Sequence, residues 1–369
     1  MPVAQWIERW TPDPEAVGST PTGHASLSST GGIRMRKGDL GIDLGTSSLL
    51  VFQKEKGLVI DEPSVIAVEK KTKKIIAIGK EAKEMMGRTP HDIEAVRPIR
   101  DGVIADYTII ERALQELLRR TKQRFSFTKP SVVVGVPAKV TSVERRAVIE
   151  AALSAGANKV YLVLEPVAAA VGAELDIFDS IGSLVVDIGG GTTDIAVISL
   201  GGIVVSKSLR IAGDAMDEAI IKYIKKKYKF FIGLATAEEI KMRIGKAFPS
   251  MENYELEVRG RDAITGLPGN IRINSEDVLE AITPILQDLV LSLKQVLEET
   301  PPEIASDIID RGIVLTGGGA MINGLSELFI QETGINTILS PDPRTCVAFG
   351  LGKLLDNDLK LERVSAGNK

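Results

Sequence analysis

The chain has 369 residues, a formal net charge of -4 at neutral pH and an isoelectric point near 5.6. This length suits two or more domains, and the mixed, slightly acidic charge lacks the basic footprint of a nucleic-acid-binding protein. A single cysteine, Cys346, and two histidines argue against a disulfide framework, a thiolate or histidine zinc site and a Ser–His triad.

Residues 1–34 differ in composition from the rest of the chain. After Trp10 they are rich in Pro, Gly, Ser and Thr without a periodic pattern, which predicts disorder. Because residues 18–21 back-translate to something like the T-arm of a transfer RNA gene, we interpret the stretch as an extension upstream of a true start at Met35. The alternative is an interfacial membrane helix around Trp6 and Trp10, but this segment is short and not basic.

No apolar run is long enough to span a bilayer, and the N-terminus lacks the apolar core of a secretory signal. A cytoplasmic location is therefore the expectation from composition.

Strand and helix patterns alternate along the first half of the remaining chain, which favours α/β layers with mixed sheets. The continuous Val run at residues 131–136 is typical of a strand buried on both faces. Strands are predicted at residues 40–52 (with a turn inside), 64–68, 75–78, 131–136 and 160–164, and helices at 79–86, 109–124, 142–154 and 167–173.

The second half repeats this alternation. Pro284 lies inside a long helical pattern, which predicts a bent or split helix there. Strands are predicted around Val186 and Ile198 and at residues 203–211, 255–259, 270–273 and 312–315, and helices at 214–227, 237–245, 275–299, 324–332 and, as the last one, 341–355.

One pattern occurs twice: an apolar strand delivers an aspartate into a glycine-rich turn with a threonine, and a second β-like run follows. The copies are GIDLGTSS with Asp43 and VDIGGGTTD with Asp187. Backbone N–H groups of such turns form anion sites, and an aspartate at the strand end can hold Mg²⁺ directly or through water. One such hairpin alone is also an ordinary β-turn. Two copies predict a duplicated α/β domain that grips a Mg–nucleotide between its halves.

Three further features bear on this site. A third glycine-rich turn, at residues 317–319, also follows a strand. Glu165 sits at a strand end, where it could orient or deprotonate a water that attacks a phosphate, or simply cap the next helix. Glu238 and Lys241 share one helix face and could be a surface ion pair or contacts to ribose and base.

Ordered blocks across the chain carry a family resemblance. They are GIDLGTSS (41–48), DEPSV (61–65), VRPIRDGVIADY (96–107), VERRAV (143–148), LEPVAAAVGA (164–173), VVDIGGGTTDIAVISLGGIV (185–204) and TPPEIASDIIDRGIVLTGGGAMINGL (300–325). On these blocks the chain, from Met35 to about Leu355, resembles the MreB-type bacterial actin homologues, including the Mbl and MreBH branches. They belong to the actin–Hsp70–sugar kinase superfamily.

The resemblance implies an actin-like fold of two duplicated domains, with four subdomains around a cleft for ATP and Mg²⁺. It implies subdomain IA at residues 35–66, 109–175 and 347–361, IB at 67–108, IIA at 176–213 and 275–346, IIB at 214–274 and a tail at 362–369.

The resemblance also assigns residues by position in the matching motifs. Asp43 and Asp187 would hold hydrated Mg²⁺, and Glu165 with Thr192 would position the hydrolytic water. The predicted nucleotide contacts are Thr46, Ser47, Ser48, Gly190, Gly191, Thr192, Thr193, Glu238, Glu239, Ile240, Lys241, Gly317, Gly318, Gly319 and Ala320.

Two positions depart from the family pattern. The first turn reads Gly-Thr-Ser-Ser where the family has Gly-Thr-Ala-Asn, and Leu164 precedes Glu165 in place of an acid. The second departure bears on how Glu165 is oriented, and therefore on hydrolysis more than on nucleotide binding.

The function implied by the resemblance is an ATP-dependent filament of paired protofilaments on the inner face of the cytoplasmic membrane. It would organise cell-wall synthesis and set rod shape, with other wall-elongation proteins as partners and slow ATP hydrolysis linked to polymerisation. Phe125 and Phe127 match a membrane-touching loop of the family, with Lys122, Arg124 and Lys129 beside them. The alternative is that both rings pack down on the domain.

Two other classes of the superfamily remain as alternatives. A metabolic kinase would need an aspartate base near a sugar pocket, and no such base stands out beyond the nucleotide turns. A chaperone of the Hsp70 type would need a β-rich substrate domain after the ATPase, whereas this chain ends soon after Leu355.

Overall fold

The structure is a computed structural model that describes residues 33–100, 102–121 and 129–365. Among these residues no helix is both long and apolar enough to cross a membrane. The predicted disordered extension therefore lies almost entirely outside the described residues.

The first half follows the predicted alternation of strands and helices. Its strands are β1 (Leu40–Leu44), β2 (Ser48–Gln53), β3 (Gly57–Pro63), β4 (Ile66–Glu69), β5 (Ile75–Ile78), β6 (Ile93–Val96), β7 (Ile99–Arg100), β8 (Val103–Ile104), β9 (Val132–Val136) and β10 (Val160–Leu164). Its helices are α1 (Lys80–Met85), α2 (Tyr107–Thr121), α3 (Ser142–Ser154) and α4 (Glu165–Gly172).

The second half has the same kind of element order. Its strands are β11 (Ser183–Ile188), β12 (Thr193–Ser199), β13 (Gly202–Leu209), β14 (Phe230–Phe231), β15 (Glu255–Asp262), β16 (Pro268–Asn274), β17 (Ile313–Thr316) and β18 (Thr337–Leu339). Its helices are α5 (Gly213–Tyr228), α6 (Leu234–Ile244), α7 (Ser275–Glu299), α8 (Pro302–Arg311), α9 (Leu325–Thr333), α10 (Cys346–Leu355) and α11 (Asp358–Val364). Short 3₁₀ turns at Gly318–Met321 and Pro343–Thr345 follow β17 and β18.

The two large sheets have the same topology, so the predicted duplication is confirmed. The first has the order β10-β9-β1-β2-β3 and the second β18-β17-β11-β12-β13. In both, the central strand pairs antiparallel with its hairpin partner and parallel with the strand on its other side. Smaller three-stranded sheets, β5-β4-β6 and β14-β15-β16, accompany each half. The exact subdomain boundaries stay a prediction.

The glycine-rich turns sit at matching places in the two sheets. Asp43 on β1 pairs with Leu50, and Asp187 on β11 pairs with Asp194, so the same number of residues separates each aspartate from its partner. Because the two hairpins have the same register, the aspartates of both central strands lie at the same end of their sheets.

A shared core joins the halves. Val133 and Val163 of the first sheet and Val185 and Ala196 of the second belong to one buried cluster, which also takes in α4, α10 and α11. Alternation along each strand places its other face in a separate core for each half. The halves are therefore joined through packed side chains as well as through the chain.

Helices α4 and α10 approach so closely that they require glycine where they cross. A Cβ on Gly350 would overlap the carbonyl of Ala168, and one on Gly172 would overlap the carbonyl of Cys346. Small residues let helix backbones come together. Helix α10 packs on the first sheet and α4 also contacts β11 and β12 of the second, so the crossing ties α10 to the helix that bridges the two sheets.

Two predictions about helices need correction. Helix α7 runs through Pro284 without a split, with buried residues such as Ile282 and Leu286 on both sides of it, and the predicted alternative of a bend there stays a prediction. The helix predicted at residues 341–355 begins at Cys346 and is not the last, because Asn357 caps a further helix through the N–H of Lys360.

Gly350→Ala tests the helix crossing. Helix propensity alone would favour alanine by about 1 kcal/mol. The clash with a backbone carbonyl outweighs this gain, so we expect the free energy of unfolding to fall by about 2 kcal/mol. Gly202→Ala, at an exposed site where the added Cβ meets only the Ser199 carbonyl at 3.8 Å, is the control and should stay within about 0.5 kcal/mol of wild type. Equal denaturation midpoints for the two variants would contradict the packing argument.

Candidate functional site

The two duplicated turns face each other. A Cβ on Gly190 of the second turn would overlap the Ser47 side chain of the first. Gly190 also accepts a backbone hydrogen bond from the N–H of Asp214, at 2.7 Å, at the start of α5. The turns are therefore in contact, and only glycine fits at the closest point.

These turns line a cavity of about 680 Å³. A cavity of this size suits a small-molecule ligand. The predicted residues on its wall are Asp43, Thr46, Ser47, Ser48, Glu165, Asp187, Gly190, Thr192, Glu238, Lys241, Gly317, Gly318 and Gly319.

Five predicted contacts do not lie on the cavity wall: Gly191, Thr193, Glu239, Ile240 and Ala320. Thr193 is fully buried and its hydroxyl donates to the carbonyl of Ile211, at 2.7 Å. Ile240 and Ala320 are buried in the core of the second half, and Glu239 pairs with Arg243 on the surface. Their roles as ligand contacts stay predictions.

The third glycine turn packs directly against the second copy. Gly317 has a φ of +84°, and a Cβ there would overlap the carbonyl of Ile188. Thr316, just before it, donates its hydroxyl to Asp187 Oδ1 at 2.8 Å. The turn thus reaches the cavity and also orients one of the two aspartates.

Four buried carboxyl groups gather at the base of the cleft. Burial, and then the charge of Asp187, raises the pKa of Asp43 to about 7. The pKa of Asp187 is raised to about 7, again mainly by burial. Glu165 has its pKa raised well above the usual value by burial and by the charges of Asp43, Asp194 and Asp187. Negative charges that are close together and poorly solvated favour the binding of a cation beside them.

This arrangement fits a hydrated divalent cation better than a directly ligated one. In the part of the chain that the structure describes, no three His, Cys, Asp or Glu side chains are grouped as direct metal ligands. Asp43 and Asp187 are less than one-tenth exposed and both reach the cavity wall. Mg²⁺ usually keeps several of its water ligands. Two carboxylates on the cavity wall can therefore hold the ion through those waters.

Glu165 and Thr192 share a second, smaller cavity. It measures about 40 Å³ and is also lined by Thr46 and Pro137. That volume has room for water, and Glu165 is only 9% exposed. Glu165 is the first residue of α4, directly after β10, so the strand end delivers it to this spot.

The residues predicted to contact the nucleoside have other partners here. Lys241 donates to the carbonyl of Gly213 and pairs with the buried Asp217, both at 2.8 Å. Glu238 pairs across the cleft with Lys83 of the first half, at 2.8 Å. The two residues do not form the surface ion pair with each other that was the alternative.

Sequence reasoning missed Asp194, Asp217 and Lys83. Asp194 is 1% exposed, accepts a hydrogen bond from Ser208 and receives the N–H of Ala138 in the other half, at 3.4 Å. It directly follows the second turn, so the motif itself carried a signal. Asp217 and Lys83 gave no such signal, because their partners are distant in the chain.

Phe125 and Phe127, predicted to touch a membrane, lie outside the described residues. Cys346 is buried, with its Sγ 3.2 Å from Ser340 Oγ.

Comparison with known proteins identifies the family. The family model described as MreB/Mbl protein matches residues 37–363. The chain belongs to the MreB/Mbl family. This MreB/Mbl chain is 48% identical over 325 residues to the cell shape-determining protein Mbl of Bacillus subtilis strain 168, covering 88% of this chain and 98% of that one. Its identity to the cell shape-determining protein MreB of Escherichia coli K12 is 49% over 328 residues, covering 87% and 94%.

A solved structure supports the fold assignment. The crystal structure of MreB5 of Spiroplasma citri bound to AMPPNP matches this MreB/Mbl chain with a TM-score of 0.82 and 37% identity, covering 85% of this chain and 95% of that one. The predicted actin-like α/β fold with two sheet-containing domains is therefore confirmed.

Asp187→Asn tests the buried charge. Because the folded-state pKa of Asp187 is raised from 3.8 to about 7, the folded state binds more protons than the unfolded state between these values. The nucleotide-free and metal-free wild type should lose stability as the pH rises through that window. Asparagine does not ionise and so removes this loss. Across the pH window, the free energy of unfolding of the variant should therefore rise relative to wild type by roughly 2 kcal/mol or more.

The measurement is thermal unfolding against pH, in EDTA, for both proteins. Asp288→Asn, on an exposed face of α7, is the control and should keep a constant offset from wild type. Parallel stability curves for Asp187→Asn and wild type would rule out a buried, mutually repelling carboxylate.

Proposed function

We propose that this chain binds ATP with Mg²⁺ in the central cleft and assembles into a filament that sets rod cell shape. Its relatives Mbl and MreB are named cell shape-determining proteins, and the MreB5 structures hold AMPPNP and ADP. The observation that carries the proposal is the contact between the two duplicated turns, which closes an anion site from both halves.

The phosphates would lie between these turns. Thr46, Ser47 and Ser48 supply backbone N–H groups and hydroxyls from one side, and Gly190 supplies backbone from the other. The bound cation would neutralise phosphate charge and favour the ionised forms of Asp43 and Asp187. The serines in place of the family's alanine and asparagine keep small polar groups at this surface.

Hydrolysis would use the small cavity beside Glu165. A water there lies within reach of a carboxylate that can orient it and accept its proton, and of the Thr192 hydroxyl. Burial, and then the charges of Asp43, Asp194 and Asp187, raise the pKa of Glu165, so a cation beside these carboxylates would favour its ionised, proton-accepting form. Accepting a proton therefore depends on a compensating cation nearby, which links hydrolysis to a fully loaded cleft. ATPase activity is expected on this ground, as a part of filament turnover and not as metabolic chemistry.

Two ion pairs that cross the cleft support a link between nucleotide and domain closure. Lys83 reaches Glu238, and Arg97 reaches Asp214 at the start of α5. Asp214 also binds the second turn through its backbone, so phosphate contacts and cross-cleft contacts share an element. A nucleotide that reorders this turn would change the angle between the halves and so the fit between subunits in a homopolymer of paired protofilaments.

We further propose that the filament lies on the inner face of the cytoplasmic membrane, where it would meet the wall-elongation proteins. This rests on the aromatic pair Phe125 and Phe127 between basic residues, which suits an anionic lipid surface. Nothing in the charge of the chain suggests nucleic acid as a partner.

ATP-dependent pelleting tests the filament. At rising protein concentration with MgATP, we expect a sharp critical concentration, and none without nucleotide. Glu165→Gln keeps the size of the side chain and removes the base, so phosphate release should fall about a hundredfold or more while pelleting persists. Sugar-stimulated ATP turnover without pelleting would favour the metabolic kinase and overturn the proposal.

Co-sedimentation with vesicles of phosphatidylglycerol and phosphatidylethanolamine tests the membrane contact. Much less of the Phe125→Ser/Phe127→Ser variant should sediment with the vesicles. Two aromatic rings that become buried in lipid would contribute roughly 3 kcal/mol or more to the free energy of membrane binding. The control is Ile264→Ser/Leu267→Ser, which removes two exposed apolar side chains from the β15–β16 turn, 83% and 65% exposed. Loss of binding in the control and not in the phenylalanine variant would place the contact elsewhere.

A further inference from the structure

Lys246 is buried in a way that lysine rarely is. It is 1% exposed, and its side chain is among the large ones that are almost fully buried in the part of the chain that the structure describes. Lysine normally keeps its ammonium group in water, so a buried one requires compensating partners. Lys246 is not among the residues that the family resemblance assigned to the nucleotide.

All three donors of the ammonium group are used. Lys246 Nζ donates to the carbonyl oxygens of Pro249 and Met251, each at 3.2 Å, and to Glu276 Oε1 at 2.5 Å. A lysine ammonium has three N–H donors, so none is left over. The Glu276 side chain is more than half exposed, which leaves one end of this pair open to water.

These partners lie directly behind one wall of the cleft. The carbonyls belong to the segment that leads into Glu252 and Tyr254, which both line the cavity. The end of this segment is pinned separately, because the N–H of Tyr254 donates to Ser275 Oγ at 2.9 Å. Lys246 therefore fixes the middle of a loop whose end is already fixed to α7.

A second piece of the same wall also meets Lys246. Its backbone forms a parallel bridge with Asn323, and the N–H of Ala247 donates to the Asn323 carbonyl at 2.7 Å. Asn323 and its neighbour Ile322 line the cavity as well. Two segments distant in sequence thus meet at Lys246, the loop at residues 249–251 through its ammonium group and Asn323 through its backbone.

This wall is separate from the two duplicated turns and from the buried carboxylates. Its members are Gly245, Glu252, Tyr254, Ile322 and Asn323. If the phosphates lie on the turns, as the proposed function requires, the remaining part of the ligand at this wall is the nucleoside.

We propose that Lys246 is a positioning residue for the nucleoside: it holds the two segments of this wall at the spacing that the base and ribose need. The inference rests on the proposed function. Removing the ammonium group leaves the carbonyls of Pro249 and Met251 without this donor and frees the loop at residues 249–251. Because this loop does not touch the phosphate turns, the loss of affinity is the same for ATP and for ADP.

Lys246→Met tests this, with dissociation constants for MgATP and MgADP measured by calorimetry below the wild-type critical concentration. Both constants should rise by the same factor, about ten- to a hundredfold, as expected when supporting contacts are lost. The ratio between them should match that of wild type. A loss of general folding would instead appear as a lower melting temperature without nucleotide.

Two controls bracket the effect. Glu276→Gln keeps an acceptor for the ammonium group and should change both constants by less than about threefold. Lys294→Met removes a lysine paired with Glu332 on the surface and should leave both constants unchanged. If Lys246→Met fails to fold, Lys246→Gln, whose amide keeps two donors, replaces it and should show a smaller rise in both constants.

Wild-type affinities in Lys246→Met, or a loss confined to ATP, would overturn the positioning role. Failure of the proposed function reads differently, because then the wild type itself would bind neither nucleotide.

Discussion

The burial of four neighbouring carboxyl groups is the constraint on which the rest of the structure depends. Asp43 and Asp187 come from equivalent strands of the two halves, and Glu165 and Asp194 lie beside them, all less than one-tenth exposed. Such a group is unfavourable to fold unless something supplies positive charge. Since each half contributes aspartates, the cation that we propose to compensate them would also draw the halves together.

The two halves share a core in which one helix crossing has little freedom to slide. Helices α4 and α10 cross at Gly172 and Gly350, where neither backbone can move closer or accept a side chain. Glu165 begins α4, so the helix that fixes the crossing also carries the predicted catalytic carboxylate. Closure of the cleft and placement of Glu165 are thus mechanically related, because a shift in one helix moves both.

The cleft differs on its two sides in how its polar groups are satisfied. On the side where we propose that the phosphates bind, the carboxylates lack full compensation within the protein, which would leave them dependent on a ligand. On the side proposed for the nucleoside, Lys241 and Lys246 already have acidic and carbonyl partners within the chain. One side is therefore built to respond to its ligand, and the other to stay in place.

The sequence by itself determined the duplicated motif, the identity of the strand-end aspartates and Glu165, and the family, because these depend on local turns and ordered blocks. It did not determine that Glu238 pairs with Lys83, that Asp194 and Asp217 are buried, or that Lys246 braces the wall. It also predicted a bent or split helix at Pro284, and the folded helix is not split. Those outcomes depend on burial and on contacts between residues far apart in the chain. A charged side chain that would be ordinary on the surface needs specific partners once it is buried.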